Sequence, residues 1–403
     1  MIPETKEAIG HMVVVAGDYP EPGHMKLVFV QQLVHAMIDQ GVMITVVAPQ
    51  SLVHALVYKE RLLPKQALFR TNSGLEYRVF RPRIITLGNL RLFSKGLRWW
   101  NRHVLSRLMK RLKPDTLYAH FWSSARIVEK YANDNSIPIF VACGEGDDAL
   151  EDIVKTVSQK ELDSLKNNVK GVICVSSENK RKCIRYSLAD NTRIGVFPNC
   201  VDTNLFRRRD RQLTRAKIGA KDDDFVIVFV GGFIPRKGPE RLAEAISIIN
   251  DPSIKVIFIG KEFPGYPLDF DCPGILFKGQ VDHDELPDYL SCSDLFVLPT
   301  QKEGCCNAIV EALSIGLPIV SSDGAFNDDI LDEFNSIRVN PNSVSSIADA
   351  ILRLKNNPCV RDQMSRVSIS RHDSYSISGR ASRIISFISE ICMKENRHYE
   401  RLS

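Results

Sequence analysis

The stretch Glu303-Gly-Cys-Cys-Asn-Ala-Ile-Val-Glu311, directly after Leu295-Phe-Val-Leu-Pro-Thr300, decides how the chain is read. Leu295–Leu298 is short, apolar and closed by Pro299, the pattern of a strand buried in a parallel sheet. Asn307 to Ser314 then reads as a helix, ended by Gly316 and Pro318. Two carboxylates eight residues apart thus flank a strand-to-helix turn, Glu303 on the loop and Glu311 about one turn inside the helix. In open α/β sheets, ligands sit in the crevice at the carboxyl ends of strands, and a helix N-terminus favours phosphate. Two acids bracketing an anion site suit one carboxylate for sugar hydroxyls and one for a ribose. A glutamate early in a helix also complements the helix dipole, so spacing alone leaves a structural role open.

The same alternation extends outward in both directions. Phe225–Val230, Lys255–Ile259 and Pro318–Ser321 read as strands, with helices at Pro239–Ile249, Asp284–Ser291, Val344–Asn356 and Ser376–Met393. The first half repeats it. His11–Ala16 and Met43–Ala48 are strands joined through a helix over Val28–Gln40, a βαβ unit with a parallel sheet. Thr116–Ala119, Ile137–Ala142 and Gly171–Val175 follow as strands, with a helix over Ala125–Asn133. Arg207–Asp224 is charged and free of aromatics, as expected of a linker. The expectation is therefore an α/β protein of two Rossmann-like doubly wound domains, residues 1–207 and 225–375, joined by 208–224.

A length of 403 residues suits two such domains. No apolar run is long enough to predict a membrane-spanning helix, and Met1–Gly10 does not read as a secretory signal. The ten cysteines are scattered without a Cys-x-x-Cys pair, the pattern of reduced thiols in a cytoplasmic protein. The net charge of +5 is unevenly placed: Arg81–Lys113 holds ten Lys or Arg and no acid. Within it Leu105, Leu108, Met109 and Leu112 fall at helical spacing, beside Trp99 and Trp100. Residues 91–113 are thus a candidate contact with an anionic membrane surface, against the alternative of a core-packed helix with a solvated basic face. No recognition motif accompanies the charge, so nucleic acid is not expected as a partner.

Glu303 and Glu311, with Ser293-Asp-Leu-Phe-Val-Leu-Pro299 before them and Ala312-Leu-Ser-Ile-Gly-Leu-Pro-Ile-Val-Ser321 after, resemble the Glu-x7-Glu hallmark of the retaining glycosyltransferases of family 4. The resemblance runs, with gaps, over most of the chain. It implies the GT-B fold, two Rossmann-like domains facing across a cleft, with the C-terminal helix (here within 376–403) crossing back onto the first domain. It also implies a nucleotide-diphosphate sugar as donor substrate, bound by the second domain, and a glycan or lipid-linked acceptor on the first. Glu303 would contact the transferred sugar as the catalytic group, and Glu311 the nucleotide ribose. Gly304, Cys306, Asn307 and Ala308 would meet the departing phosphate. No metal or other cofactor is expected, because no Asp-x-Asp stands where the other large glycosyltransferase fold binds a metal.

The loop Gly231-Gly232-Phe-Ile-Pro-Arg236-Lys237-Gly238 carries fixed positive charge at a helix start, which suits a diphosphate. Lys237 matches the family lysine; the family arginine appears as Gly232, and Arg236 is the candidate replacement. On the first domain, Gly23 closes a Pro/Gly loop that resembles the family's mobile loop near the diphosphate. His120 ends a strand and is a candidate acceptor or phosphate contact. Where the family has a histidine after the next strand, this chain has Gly144, and Glu145 or Asp147 are the candidates for its polar role. UDP is the expected nucleotide from family base rates. Two other readings share these features: a degenerate, non-catalytic nucleotide-sugar-binding protein, and a nucleotide-sugar epimerase. The enzyme reading is a hexosyltransferase of cell-surface polysaccharide synthesis, placed in the cytoplasm and peripheral at the inner face of the membrane.

Overall fold

The computed structural model describes residues 9–21, 27–85, 94–145, 147–263 and 269–400. Its contacts divide the chain into two units, Met1–Phe197 with Ala381–Ser403, and Pro198–Arg380. In the first unit the strands are β1 (His11–Val15), β2 (Met43–Val47), β3 (Gln50–Ser51), β4 (Gln66–Arg70), β5 (Glu76–Phe80), β6 (Arg83–Ile84), β7 (Thr116–His120), β8 (Ile139–Cys143), β9 (Val169–Cys174) and β10 (Ile194–Val196). Eight of them form one sheet in the order β10-β9-β8-β7-β1-β2-β5-β4, and β3 pairs separately with β6. Only the hairpin strand β4 runs antiparallel to its neighbour, at the edge. Val13, Val15, Leu117, Ala119, Ile139, Val141 and Val172 fill one buried face against helices such as Trp122–Asp134.

The second unit holds β11 (Phe225–Val230), β12 (Ile254–Ile259), β13 (Ile275–Gly279), β14 (Leu295–Leu298), β15 (Ile319–Ser322) and β16 (Ser336–Val339). All pair in parallel, in the order β13-β12-β11-β14-β15-β16. Numbered within the unit this is 3-2-1-4-5-6, the doubly wound order whose direction reverses between β11 and β14. β11, β12 and β14 read as unbroken apolar runs because helices cover both faces of the sheet. The first unit reverses in the same way, between β1 and β7.

The expected linker is not one. Residues 211–218 form a helix of the second unit, and Arg215 on it is buried. Its guanidinium donates to the carbonyls of Lys221, Asp222, Asp224 and Cys292 and pairs with Asp294 at 2.7 Å. The Asp294 carboxylate also accepts the Val226 N–H, which ties this helix to the start of β11. The unit boundary accordingly falls at Phe197–Pro198, before the expected one. The long C-terminal helix Ile377–Glu400 begins in the second unit and continues into the first. There Ala381, Ile384, Ile385 and Ile388 are buried, and Ser382 Oγ donates to Gln40 Oε1 at 2.7 Å.

The stripe read as membrane-directed faces inward. On the helix Ser94–Leu112, Leu105 and Met109 lie in the first unit's core, and Leu108 and Leu112 pack against it. Trp99 and Trp100 stay exposed, with Arg107, Lys110 and Arg111. Residues 91–93 lie outside the described residues.

Candidate active site

β11 and β14 are neighbours at the switch point of the second sheet, and the loops leaving their carboxyl ends build the site. After β11 the chain passes Gly231 and Gly232 and turns at Gly238, whose φ of 77° is left-handed, into the helix Pro239–Ile249. The turn carries Arg236 back over the end of β14, where its carbonyl accepts the Gln301 N–H at 2.9 Å. Arg236 Nη1 then lies 3.0 Å from Glu303 Oε1 and also donates to the Lys302 carbonyl. Lys237 Nζ pairs with the same Glu303 oxygen, and Thr300 Oγ1 donates to it at 2.8 Å.

Two cations against one carboxylate leave one net positive charge, so the cluster favours an anion. Lys237 is largely buried. Burial works against its ammonium, but its charged neighbours, with the Glu303 carboxylate as charge and hydrogen-bond partner, outweigh that and hold its pKa above the ordinary lysine value.

The helix Asn307–Ile315 starts directly after this cluster and ends at Gly316, left-handed at φ 88°. Its N-cap is Cys306, whose side chain makes no capping hydrogen bond. Burial pushes the Cys306 thiol pKa up, so a neutral, weakly accepting group stands where Ser, Thr, Asp or Asn would cap strongly. The first-turn N–H groups around Asn307 and Ala308 keep the partial positive charge of a helix start. Asn199 steadies this turn, with Gly304 in its bend: its amide donates to Cys305 O at 3.1 Å and Asn307 Oδ1 at 2.8 Å.

Glu311 follows one turn later, nearly buried, with Oε1 3.3 Å from His283 Nε2. The hydrogen bond to Glu311 raises the His283 pKa above the usual histidine value; burial opposes it, and the Glu311 charge adds to it. His283 was not foreseen. It lies in the loop after β13, 28 positions before Glu311, and no local pattern marks it.

The structure thus gathers Arg236, Lys237 and Glu303 and sets Glu311 beside His283 on the helix behind them. A Cβ at Gly232 would lie 2.6 Å from the ring of the exposed Phe263, so that ring would have to shift to admit a side chain there. No cluster of metal-ligating side chains lies here among the described residues.

In the first unit, His120 ends β7, buried between Phe29 and Phe121 with ring centroids 5.4 and 4.3 Å away. Phe121 holds φ 76° and ψ 154°, a region that side chains avoid, as the chain turns into the helix Trp122–Asp134. Glu145 faces that same helix start, its Oε1 accepting the Trp122 N–H at 2.6 Å. Burial, and next the adjacent Cys143, raise the Glu145 pKa well above the carboxylate range. Gly144 has room for a methyl group, since a Cβ would meet Val175 and Phe121 at 3.4 Å or more. Asp147 opens the helix Asp147–Thr156, its side chain not among those described; Gly23 lies outside the described residues. Beyond the ends of β1 and β2 is a cavity of about 350 Å³ lined by Asp18, Gln50, Ser51, His54 and Arg61, which the sequence did not announce.

Residues 28–205 match the family described as Glycosyltransferase Family 4, and residues 210–371 match Glycosyl transferases group 1. The chain belongs to glycosyltransferase family 4. This family 4 glycosyltransferase is 25% identical, over 81% of its length and 84% of the other, to the provisionally named teichuronic acid biosynthesis glycosyltransferase TuaC of Bacillus subtilis. It is 31% identical to a UDP-Gal:alpha-D-GlcNAc-diphosphoundecaprenol alpha-1,3-galactosyltransferase of Escherichia coli, over 45% of this chain; the match spans only 50% of that protein. Its fold is GT-B. The Anabaena protein HepE in complex with UDP superposes with a TM-score of 0.71 over 94% of this chain and all of that one, at 14% identity. Sucrose-phosphate synthase of Thermosynechococcus elongatus does so with 0.69, over 98% and 99%, at 16% identity.

Proposed function

We propose that this glycosyltransferase moves a hexosyl unit from a nucleotide-diphosphate sugar, a UDP-sugar first, to a glycan or lipid-linked acceptor, with retention at the anomeric carbon. The observation that carries the reading is the cluster of Arg236 and Lys237 on Glu303, at the switch point and at the mouth of an N-terminus capped only by a thiol. In this reading the donor diphosphate takes the two cations and the first-turn N–H groups. Glu311 accepts the ribose hydroxyls, and Glu303 stands at the sugar, where a carboxylate favours oxocarbenium character. The bond from the anomeric carbon to the phosphate oxygen breaks with its electrons leaving on the diphosphate. The acceptor hydroxyl attacks the same face, and its proton passes to the departing phosphate oxygen. That route needs no protein nucleophile, and Arg236 and Lys237 supply the charge that a metal would.

The acceptor belongs in this reading to the first unit, at the cavity beside Asp18, Ser51 and Arg61. The lipid-linked class is supported by the diphosphoundecaprenol named for the E. coli relative, and a cell-surface polysaccharide by the teichuronic acid of the B. subtilis relative. Work at the inner face of a membrane goes with such acceptors; among the described residues no helix is long and apolar enough to cross one. Calorimetry of UDP, GDP, ADP and their common sugars, on the wild type and on Glu311→Ala, tests the donor. One nucleotide sugar should bind, with affinity falling at least about tenfold in the variant. Binding without transfer to any acceptor would favour the non-catalytic reading, binding by none would overturn the donor site, and turnover of a nucleotide sugar without any acceptor would favour an epimerase.

A further inference from the structure

Three of the ten cysteines, scattered in sequence, converge in the first unit. Cys143 ends β8 and Cys174 ends β9, and the two are direct partners in the strand register. They therefore point to one face of the sheet. Cys183, on the helix Ser177–Arg185, drops onto both of them: its Sγ is 3.5 Å from that of Cys143 and 4.0 Å from that of Cys174. All three sulfurs lie within 4.8 Å of one another, and none of the three residues has any exposure.

We propose that Cys143, Cys174 and Cys183 form a buried three-sulfur site for a thiophilic d10 cation, copper(I) or zinc(II). Metal–sulfur bonds of about 2.3 Å put ligand sulfurs about 3.8 Å apart in a tetrahedral site and about 4.0 Å apart in a trigonal one. The two spacings to Cys183, 3.5 and 4.0 Å, need adjustments of only a few tenths of an ångström to reach either, and the third lies within 4.8 Å. Thiolate ligands select these soft ions over magnesium or calcium.

The surroundings are not those of thiols packed merely as small hydrophobes. Buried Asn179 aims its amide nitrogen at Cys143 Sγ, 3.9 Å away, and donates to the Glu145 carbonyl at 2.8 Å. The Ser176 hydroxyl fixes that orientation by donating to Asn179 Oδ1 at 2.7 Å. An outer N–H donor held toward a ligand sulfur is the usual second layer of a metal–thiolate centre. Close by, Glu145 Oε2 is closed off from solvent without a hydrogen-bond partner. A metal here ties the ends of β8 and β9 to the helix above them and so braces the Gly144-Glu145 turn. The site is separate from the donor cluster and does not depend on the donor assignment.

The test is metal content and ligation of the full chain, since a buried site fills as the protein folds. Protein made with added zinc(II), and separately with copper(I) under reducing conditions, is dialysed against a weak chelator and its metal measured. About one equivalent of one ion should remain, with X-ray absorption showing sulfur neighbours at about 2.3 Å. Cys183→Ala should lose it, and Cys359→Ser, at an exposed thiol, should keep it. Cobalt(II) introduced on refolding should give thiolate-to-metal charge-transfer absorption, a readout that stands if Cys183→Ala does not fold. Retention of neither ion, equal metal in Cys183→Ala, or a shell of nitrogen and oxygen only would overturn the proposal.

Discussion

His283 Nε2 lies 3.3 Å from Glu311 Oε1, so the carboxylate proposed for the nucleotide ribose is already held by an imidazole. That hydrogen bond raises the His283 pKa. A raised folded-state value means the pair's stabilisation is complete below the unfolded histidine value of about 6.5 and is lost as pH rises through the folded one. The melting temperature of the wild type should therefore fall, relative to His283→Gln, as pH climbs through that window. Parallel curves for the two proteins would show that the pair is not coupled to folding. Nucleotide affinity in His283→Gln should vary less between pH 6 and 8 than in the wild type, read by the same calorimetry.

Glu303 is the meeting point of Thr300, Arg236 and Lys237. Glu303→Gln keeps the shape and removes the charge. Loss of one group that acts on charge developing in the transition state typically lowers kcat by about 100-fold or more. The nucleoside diphosphate should bind as tightly as before or tighter, because both cations lose their internal counter-ion. A variant with weakened diphosphate binding and normal kcat would move Glu303 from the chemistry to donor binding.

Lys237 and Arg236 should differ in weight. Lys237 is 15% exposed and Arg236 42%, so water screens the arginine more. Lys237→Ala should weaken nucleoside diphosphate binding by about 10- to 100-fold, the range for a charge-assisted hydrogen bond, and Arg236→Ala by less. The reverse ranking would mean that Arg236 fully replaces the arginine whose place Gly232 takes.

β11 and β14 were legible to the residue because helices cover both faces of their sheet, leaving apolar runs with breakers at each end. The helix Arg211–Ile218 was not, since a buried guanidinium and not an apolar stripe anchors it, and a charge-rich segment reads as a linker. The helices Gln159–Asn168 and Ser177–Arg185 hid for a like reason: most of their residues are charged or polar. Of the candidate site, Glu303, Lys237 and Arg236 were visible because each follows a strand end within one loop. His283 and the cysteine trio were not, because only tertiary packing brings such distant positions together.

Arg215 tests the corrected boundary. Its guanidinium is the buried partner of Asp294, which also accepts the Val226 N–H near the start of β11. Asp294 keeps a second cation, Arg211 at 2.5 Å, so the loss falls on the four carbonyls, buried or part-buried, that would be left without the Arg215 donor, a cost of about 1–3 kcal/mol. Arg215→Ala should lose about that much stability in urea unfolding, whereas a true linker residue would shift it by less than about 0.5 kcal/mol. Lys221→Ala, on the exposed turn that follows, is the matched control.

The helix Ser94–Leu112 sets a limit on membrane contact. With Leu105 and Met109 in the core, its apolar stripe is not available to lipid. What remains outward is Trp99, 66% exposed and stacked on His103, with Trp100 beside it and the cations Arg107, Lys110 and Arg111 farther along. Aromatic rings at headgroup depth with nearby basic residues bind anionic surfaces mainly through charge, each cation contributing about 1 kcal/mol. Co-sedimentation with phosphatidylglycerol vesicles should therefore be lost by about 0.5 M salt, where the screening length is only a few ångströms. The triple change Arg107→Gln, Lys110→Gln and Arg111→Gln should weaken binding at least about tenfold, and Trp99→Ala by less. Sedimentation that neither salt nor the triple change alters would place the membrane contact elsewhere on the chain.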